Sequence, residues 1–566
     1  MDTGTYGILG FDQPVNAIPP LPVDGDGFRE RCPNAITDWG GRPLTLREKA
    51  MMSMLAEVMD KPDWQQKVHD EETVAKWRLE VVSEERDFSG PMFEFCIKEL
   101  RDNAEMLKST GIVPAIAASA VVYGSDSLIS IELRNELKAA VTPLEDAPAA
   151  EKDWHPGSNN QVLDLVHPSL FPLVYGRTRL MTDDEVPMED VVYYCGKGEI
   201  APVPQTKHLQ CRIACAAGPD DGHGMYSARF QWLPCDVEVG EDANVRIASY
   251  INNLHPEKHS KLYRVIEAVV SKAIPVWDLA LTEIFKQERT SDSLSSSDTT
   301  HGYYPPRVAV TGLPEWKVDR PIVPEGEDEE EVFESILDIE YGVNWERSGL
   351  MMPEPSEDTH IEGQLNEHIC ASALLYYDNV NITDSYLAFR ERVDAEAFAW
   401  GSKDKDDDPG YEQFEYDHME QLFGVSSHQT HAIQDLGRVR TDEGRLVVFP
   451  NVLQHRVEPF NLVDPSKPGH RKILALFLVD PYIRIPSTSD VPPQQKDWWA
   501  EMVQGLDRVG KLPPELFNNI LEQAGDVPIS LEEAKELRLE LMAERSTYVD
   551  EVNKDYEHYT LNFCEH

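Results

Sequence analysis

Apolar residues recur at three- and four-residue intervals from Thr45 to about Lys138, with charges between them, and this spacing predicts a helical layer. Arg47–Met59 and Phe93–Leu107 carry it most clearly. Between about 150 and 250 the texture breaks into short apolar runs punctuated by Pro, Gly and Asp, with strand-like pieces at Phe230–Pro234 and Val245–Tyr250. A strong helix is expected from Pro256 through Phe285, interrupted at Pro275, and then a Ser- and Thr-rich flexible loop over 288–302. From Glu362 to Pro481 the pattern turns to strands: Ile369–Tyr377, Ile382–Phe389, Gly444–Pro450, His455–Phe460 and Lys472–Val479. Several are apolar on both faces, so their sheets need an outer cover, and the helical layers are the natural one. Trp498 onward reverts to helix, with Ser530 and Glu533 spaced as a capping box. The chain thus divides into an extended segment and helical layer (1–148), a mixed α/β region (149–340), a strand-rich core (341–490) and C-terminal helices (491–566). The fold class is α+β.

Charge narrows the partners. The net charge is −49, from 101 acidic against 52 basic residues, which repels phosphate backbones and anionic lipid heads. Nucleic acid and membrane surfaces are therefore not expected partners, and a small-molecule substrate is. No stretch reaches the ~18 uninterrupted apolar residues that crossing a bilayer takes, and the first residues lack the basic-then-apolar order of a secretory signal. Eight scattered cysteines read as reduced thiols. The expected compartment is the cytoplasm; oligomeric state is not encoded legibly.

The chemistry concentrates late in the chain. His360 and Glu362 stand two apart in Thr-His-Ile-Glu-Gly, and residues i and i+2 of a strand point the same way, so both side chains can enter one cavity. With His455 from a distant strand they make two imidazoles and a carboxylate, a set that occupies one side of an octahedral ion and leaves positions open, as non-heme Fe(II) requires. Arg471 follows in Gly-His-Arg-Lys-Ile-Leu. If its strand forms a hairpin with His455–Phe460, Arg471 lies opposite about Pro459, roughly 13 Å along the strand from His455 at ~3.3 Å per residue. At that depth a guanidinium can clamp the far carboxylate of a five-carbon diacid.

His360-x-Glu362, His455 and Arg471 within alternating apolar strands resemble the signature of the Fe(II)/2-oxoglutarate-dependent oxygenases. The Gly444-x-Leu-x-x-Phe-Pro, His455-x-Val-x-Pro and Arg471-x-x-Leu pieces resemble the prolyl-hydroxylase-like branch in particular. The resemblance, clearest from about 360 to 481, implies a double-stranded β-helix (jelly-roll) core. It further implies iron held by His360, Glu362 and His455, 2-oxoglutarate paired with Arg471, and O2-dependent hydroxylation of a small molecule or amino-acid-like substrate with release of succinate and CO2. Glu362 stands where Asp is commoner, and the long gap to His455 calls for an insertion, placed at Trp400–Gly437. The whole chain also resembles an uncharacterised fungal family, through Ser249–Pro256 and Asn366-Glu-His-Ile-Cys-Ala-Ser-Ala-Leu.

Competing readings are a non-catalytic jelly-roll binding protein and a cupin-like metal enzyme that does not use 2-oxoglutarate. Tyr377 is a candidate donor to the cosubstrate or a buried core aromatic, and Asn366 and His368 are candidate pocket residues or local hydrogen-bonding groups. Cys195, Cys211, Cys215 and Cys235, with His208 and His223, lack the tight spacing of a zinc knuckle. His428 and His431 read as surface chance, and Asn252, Asn253 and His255 as pocket residues or a helix cap.

Overall fold

The computed structural model describes residues 8–11, 13–16, 31–36, 38–83, 87–149, 152–181, 185–204, 225–240, 244–294, 359–394, 423–424, 431–506, 512–513, 515–517, 519 and 528–558. Four helices open it: α1 (Leu46–Met59), α2 (Trp64–Lys67), α3 (Glu71–Val81) and α4 (Gly90–Thr110). A capping box starts α1: the Thr45 hydroxyl accepts from the Glu48 N–H at 3.1 Å and the Glu48 carboxylate accepts from the Thr45 N–H at 2.9 Å. Helix α4 ends at Gly111, which takes the left-handed conformation (φ 75°) that closes a helix without Cβ strain. Met51, Leu55, Val58, Trp77, Phe93, Ile97 and Leu100 make a separate core for these helices.

The helical pattern does not continue to Lys138 as expected. Val113–Ala117 and Val121–Ser125 form an antiparallel hairpin, β1 and β2, before α5 (Ile131–Glu145). This stretch is rich in Val and Ile, carries Pro114 and lacks interspersed charge, a composition that packs on both faces of a sheet. It serves as the edge of the main sheet, so the strand-rich core draws on residues well before 341.

Two antiparallel sheets face each other. The larger has the order β1-β2-β12-β9-β14, with β9 at Ile369–Val380, β12 at Leu446–Pro450 and β14 at His470–Val479. The smaller has the order β11-β10-β13, with β10 at Tyr386–Arg392, β11 at Ile433–Arg440 and β13 at Gln454–Val457. Strand β11 lies at the end of the stretch read as an insertion, and most of the rest of that stretch lies outside the described residues. Between the sheets pack Val122, Leu374, Tyr376, Val447 and Phe449 from one side and Leu387, Phe389, Leu436 and Val439 from the other. Phe389 and Phe449 meet edge to face, 5.0 Å between centroids.

The outer face of the larger sheet is covered, as its two-sided apolar pattern demands. Tyr123, Ala373, Leu375, Tyr377, Leu446 and Val448 pack against Val269, Val270, Ala273, Val276, Trp277 and Ala280 of helix α6 (Ser260–Leu294). Helix α6 continues through Pro275 and past the expected stop at Phe285, so 288–294 of the loop placed at 288–302 are helical, and the rest of it lies outside the described residues. Its apolar face has a whole sheet to bury against, at about 1.5–3 kcal/mol per fully buried large side chain.

Short pairs fill the middle of the chain: β3 (Leu173–Val174) with β6 (Phe230–Gln231), β4 (Arg179–Leu180) with β5 (Glu199–Ile200), and β7 (Val237–Val239) with β8 (Val245–Ile247). Two C-terminal helices follow, α7 (Lys496–Gln504) and α8 (Leu531–His558), the second begun by Ser530, whose hydroxyl accepts from the Glu533 N–H at 3.2 Å. Among the described residues no helix is long and apolar enough to cross a membrane.

Candidate metal centre

The segment carrying His360 and Glu362 runs antiparallel to β13 at the edge of the smaller sheet. His360 and His455 are a bridged pair: the His360 N–H donates to the His455 carbonyl at 3.1 Å, and the reverse bond is 2.9 Å. Directly opposed residues share a face, and the two rings lie 4.7 Å apart. Glu362, two residues on, turns its carboxylate to the same point, with Oε1 3.3 Å from His455 Nε2 and 3.9 Å from His360 Nε2. One ligand atom from each residue lies within 4.8 Å of the other two. The chain then turns at Gly363 (φ 71°), where a Cβ would come within 2.8 Å of Glu367 Oε2 and Ile369 Cδ1.

The site is rigid on one side and open on the other. His455 is 5% exposed and Glu362 13%, whereas the His360 side chain is 40% exposed. The His455 ring sits 4.8 Å from the Phe449 ring and 6.3 Å from that of Phe389, so the core between the sheets fixes its orientation. The Glu362 backbone is clamped by Asn451, whose side chain accepts from the Glu362 N–H at 2.9 Å and donates to the carbonyls of Glu362 and Ile369 at 2.8 and 2.9 Å.

The electrostatics suit a cation. Burial works to raise the Glu362 carboxyl, but the hydrogen bond to His455 and the two imidazoles hold it below the usual carboxylate range. Burial pulls His455 below its ordinary value, against the pull of Glu362. An ionised carboxylate and a neutral buried imidazole are the forms that bind a divalent metal.

Arg471 does not reach this region by the expected hairpin. Strand β14 pairs with β9, placing Arg471 opposite Asn379, while β13 pairs with β10. The reason is length: β13 has four residues and β14 ten, and only the twelve-residue β9 matches the longer strand. The intervening loop crosses from one sheet to the other. The guanidinium nevertheless faces inward, 4.5 Å from the Phe460 ring and 5.6 Å from that of Tyr376, and its Nη1 is buried with no hydrogen-bond partner among the described residues. A buried guanidinium nitrogen without an acceptor is costly, and an anion there would supply one.

Three other candidates are placed elsewhere. Tyr377 is on the outer face of β9 in the core against α6, so it does not share the inner surface with Arg471; its neighbour Tyr376 does. Asn366 is buried and committed to structure, accepting from the Ser227 N–H at 3.0 Å and donating to the Phe230 carbonyl at 3.2 Å. His368 caps a 3-10 turn in left-handed conformation (φ 46°), and burial pushes it down to about 4.

Of the cysteine group, Cys195 is buried among Val186, Val191, Tyr250 and Trp498, and Cys235 packs beside the outer core. Cys211, Cys215, His208 and His223 lie outside the described residues, as does His428. Asn252 and Asn253 donate to the carbonyls of Phe171 and Leu170 and so anchor a loop.

A second group, His155, Asp164 and His167, has ligand-like proximity. Its hydrogen bonding opposes a metal. The Ser169 N–H donates to His167 Nδ1 at 3.1 Å, which leaves the neutral ring's proton on Nε2. His155 Nδ1 already bonds Asp164 at 2.9 Å, and the Arg538 cation lies 3.7 Å from the same carboxylate.

Asn451, Tyr376 and Phe460 escaped the sequence reading. Asn451 had a signal, an amide directly after Phe-Pro at a strand end and close to His455; Tyr376 and Phe460 had none without the pairing of β9 and β14.

A profile for a family described as proteins of unknown function (DUF4246) matches residues 90–502, and the profile of its N-terminal domain, also of unknown function, matches residues 8–80. No curated protein and no solved structure matches the chain. The larger match spans most of the sequence and contains His360, Glu362, His455 and Arg471, and on it the chain belongs to the DUF4246 family.

Proposed function

We propose that this protein is an Fe(II)- and 2-oxoglutarate-dependent oxygenase on a double-stranded β-helix core, oxidising an unactivated C–H bond of a small molecule or amino-acid-like substrate. The observation that carries the reading is the convergence of His360, Glu362 and His455 on one point, with Arg471 on the inner surface of the facing sheet, its Nη1 buried without an acceptor among the described residues. The strand order supports it: β9, β12 and β14 lie in one sheet and β10, β11 and β13 in the other, so the chain passes repeatedly between facing sheets as in a jelly roll.

The donor set fits ferrous iron, two imidazoles and a carboxylate with an open side at the exposed His360. When bound, iron with its 2-oxo acid supplies the oxidation, in which substrate, 2-oxoglutarate and O2 become hydroxylated product, succinate and CO2. The protein's part is positional. Glu362 contributes the negative charge that offsets the ion, and His455 presents Nε2 from a ring fixed by Phe389 and Phe449. Arg471 supplies a two-pronged cation for the distal carboxylate of the cosubstrate. Phe460 and Tyr376 beside it exclude water and so strengthen that pairing.

Anaerobic addition of Fe(II) and then 2-oxoglutarate is expected to give a weak visible charge-transfer band, and exposure to O2 to give succinate, accelerated by substrates from a metabolite panel. Protein that takes up iron without the band or succinate points to a metal enzyme of another type. Protein that takes up no iron ends the reading in favour of a non-catalytic binding role.

A further inference from the structure

We infer that Asn553, on helix α8, is a positioning residue for the metal centre, holding together from outside the two strands that carry the histidine ligands. The inference rests on the metal-site reading above. The family match stops at residue 502, and α8, at Leu531–His558, lies beyond it.

The amide of Asn553 is 9% exposed and bonds in both directions. Its Nδ2 donates to the Thr359 carbonyl at 3.1 Å, and its Oδ1 accepts from Gln454 Nε2 at 3.1 Å and from Arg390 Nη2 at 3.0 Å. Thr359 immediately precedes His360, and Gln454 immediately precedes His455. Arg390, opposite Gln454 on β10, also donates to Gln454 Oε1 at 2.6 Å. One side chain therefore ties the edge segment, β13 and β10 at the level of the ligands.

Asn451 clamps the edge segment at Glu362, and Asn553 holds it on the other side of His360. The segment meets β13 through a single isolated bridge, and a short edge strand is prone to shift or fray. Helix α8 also supports it by packing: Tyr548, Val552 and Tyr556 pack on Ile361 and Leu365, with Ile361 lying between the two candidate ligands of the segment. Thr359, His360, Ile361, Gln454, Tyr548, Val552 and Asn553 line one crevice where helix and metal strands meet. Only an amide of this length offers a donor to Thr359 and an acceptor to Gln454 and Arg390 together. Asp at this position keeps the acceptor and turns a second oxygen on the Thr359 carbonyl.

The test uses the full chain and anaerobic titration with Co(II), read by its visible ligand-field absorption, beside thermal melting of the metal-free proteins. N553A and N553D are expected to weaken Co(II) binding about ten- to a hundredfold, the range for groups that orient metal ligands, with a changed absorption envelope. The control L541A loosens the same helix in its other packing cluster, with Phe171 and Phe230, and is expected to lower Tm with unchanged Co(II) affinity and spectrum. Wild-type affinity and spectrum in N553D overturn the proposal, as does an equal loss of affinity in L541A at equal loss of Tm. If N553A does not fold, N553D, which preserves volume, decides. Failure of the wild-type chain to bind Co(II) defeats the metal-site reading itself, and is distinct from these outcomes.

Discussion

Replacing Arg471 with Met separates the stability of the fold from the cosubstrate's binding, and the structure gives opposite expectations for the two. In the unliganded protein Nη1 is buried without an acceptor among the described residues. Removing such a group recovers about 1–3 kcal/mol. The same change forfeits the cation–ring contacts to Phe460 and Tyr376, each worth roughly 0.5–2 kcal/mol, while the Met side chain keeps most of the packing. The terms nearly cancel, so R471M is expected to lie within about 1 kcal/mol of wild type in urea denaturation. Cosubstrate binding behaves differently, because truncating one member of a buried charge pair costs about 2–5 kcal/mol. That is roughly thirty- to several-thousand-fold in the Kd for 2-oxoglutarate. The assay is anaerobic 2-oxoglutarate titration of the Fe(II) protein by its visible band, with Fe(II) affinity measured separately and expected to stay within about twofold. Undiminished 2-oxoglutarate binding by R471M, or a loss of several kcal/mol in the metal-free fold, would refute the assignment of Arg471 to an anion rather than to structure.

Other predictions follow from single side chains. N451A leaves the Glu362 N–H and two carbonyls without their partner and is expected to cost about 2–4 kcal/mol in urea denaturation, with weaker metal binding; loss of neither speaks against the clamp. Tyr376, whose ring lies on the inner face beside Arg471, is proposed to take the donor role first read for Tyr377: Y376F is then expected to raise the 2-oxoglutarate Kd by roughly two- to tenfold, the worth of one hydrogen bond, while Y377F leaves it unchanged, and the reverse pattern would refute this. F449A empties the fully buried ring beside His455 and should destabilise by about 3–5 kcal/mol, measured by melting with and without metal. His368, pushed down to about 4 by burial, binds its proton more weakly folded than unfolded (~6.5). Its contribution to stability is therefore complete above about 6.5 and is lost as pH falls toward 4. Urea denaturation at stepped pH should show this slope, and H368Q should flatten it.

The convergence of His360, Glu362 and His455 was legible because its signal is local: His-x-Glu on an extended segment fixes two side chains on one face by the period of two, and His455 stands at the head of a recognisable strand. The two-sided apolar character of β9 and β12 likewise announced an outer cover, and α6 supplies it. A helix start was readable where a cap is written into neighbouring residues, as at Ser530. The β1–β2 hairpin was not, because its short apolar run fits a buried helix or strand equally well and only pairing with β12 decides.

Everything that depends on which strand lies beside which was settled by the tertiary structure. Arg471 was read in a hairpin with β13, yet its strand, β14, is too long for that partner and pairs with β9. Periodicity gave Tyr377 the face of Leu375 correctly, but which face looks inward depends on where α6 lies. In the pairing with β14 the register skips Tyr377, a bulge that no local pattern records. Asn553 is the extreme case: its bonds reach residues 99, 163 and 194 positions away in the chain. Sequence thus determined the chemistry available and the elements that carry it, because propensity and periodicity act over neighbouring residues. Register, facing and long-range clamps arise from burial shared among distant segments, and only the packed fold fixes them.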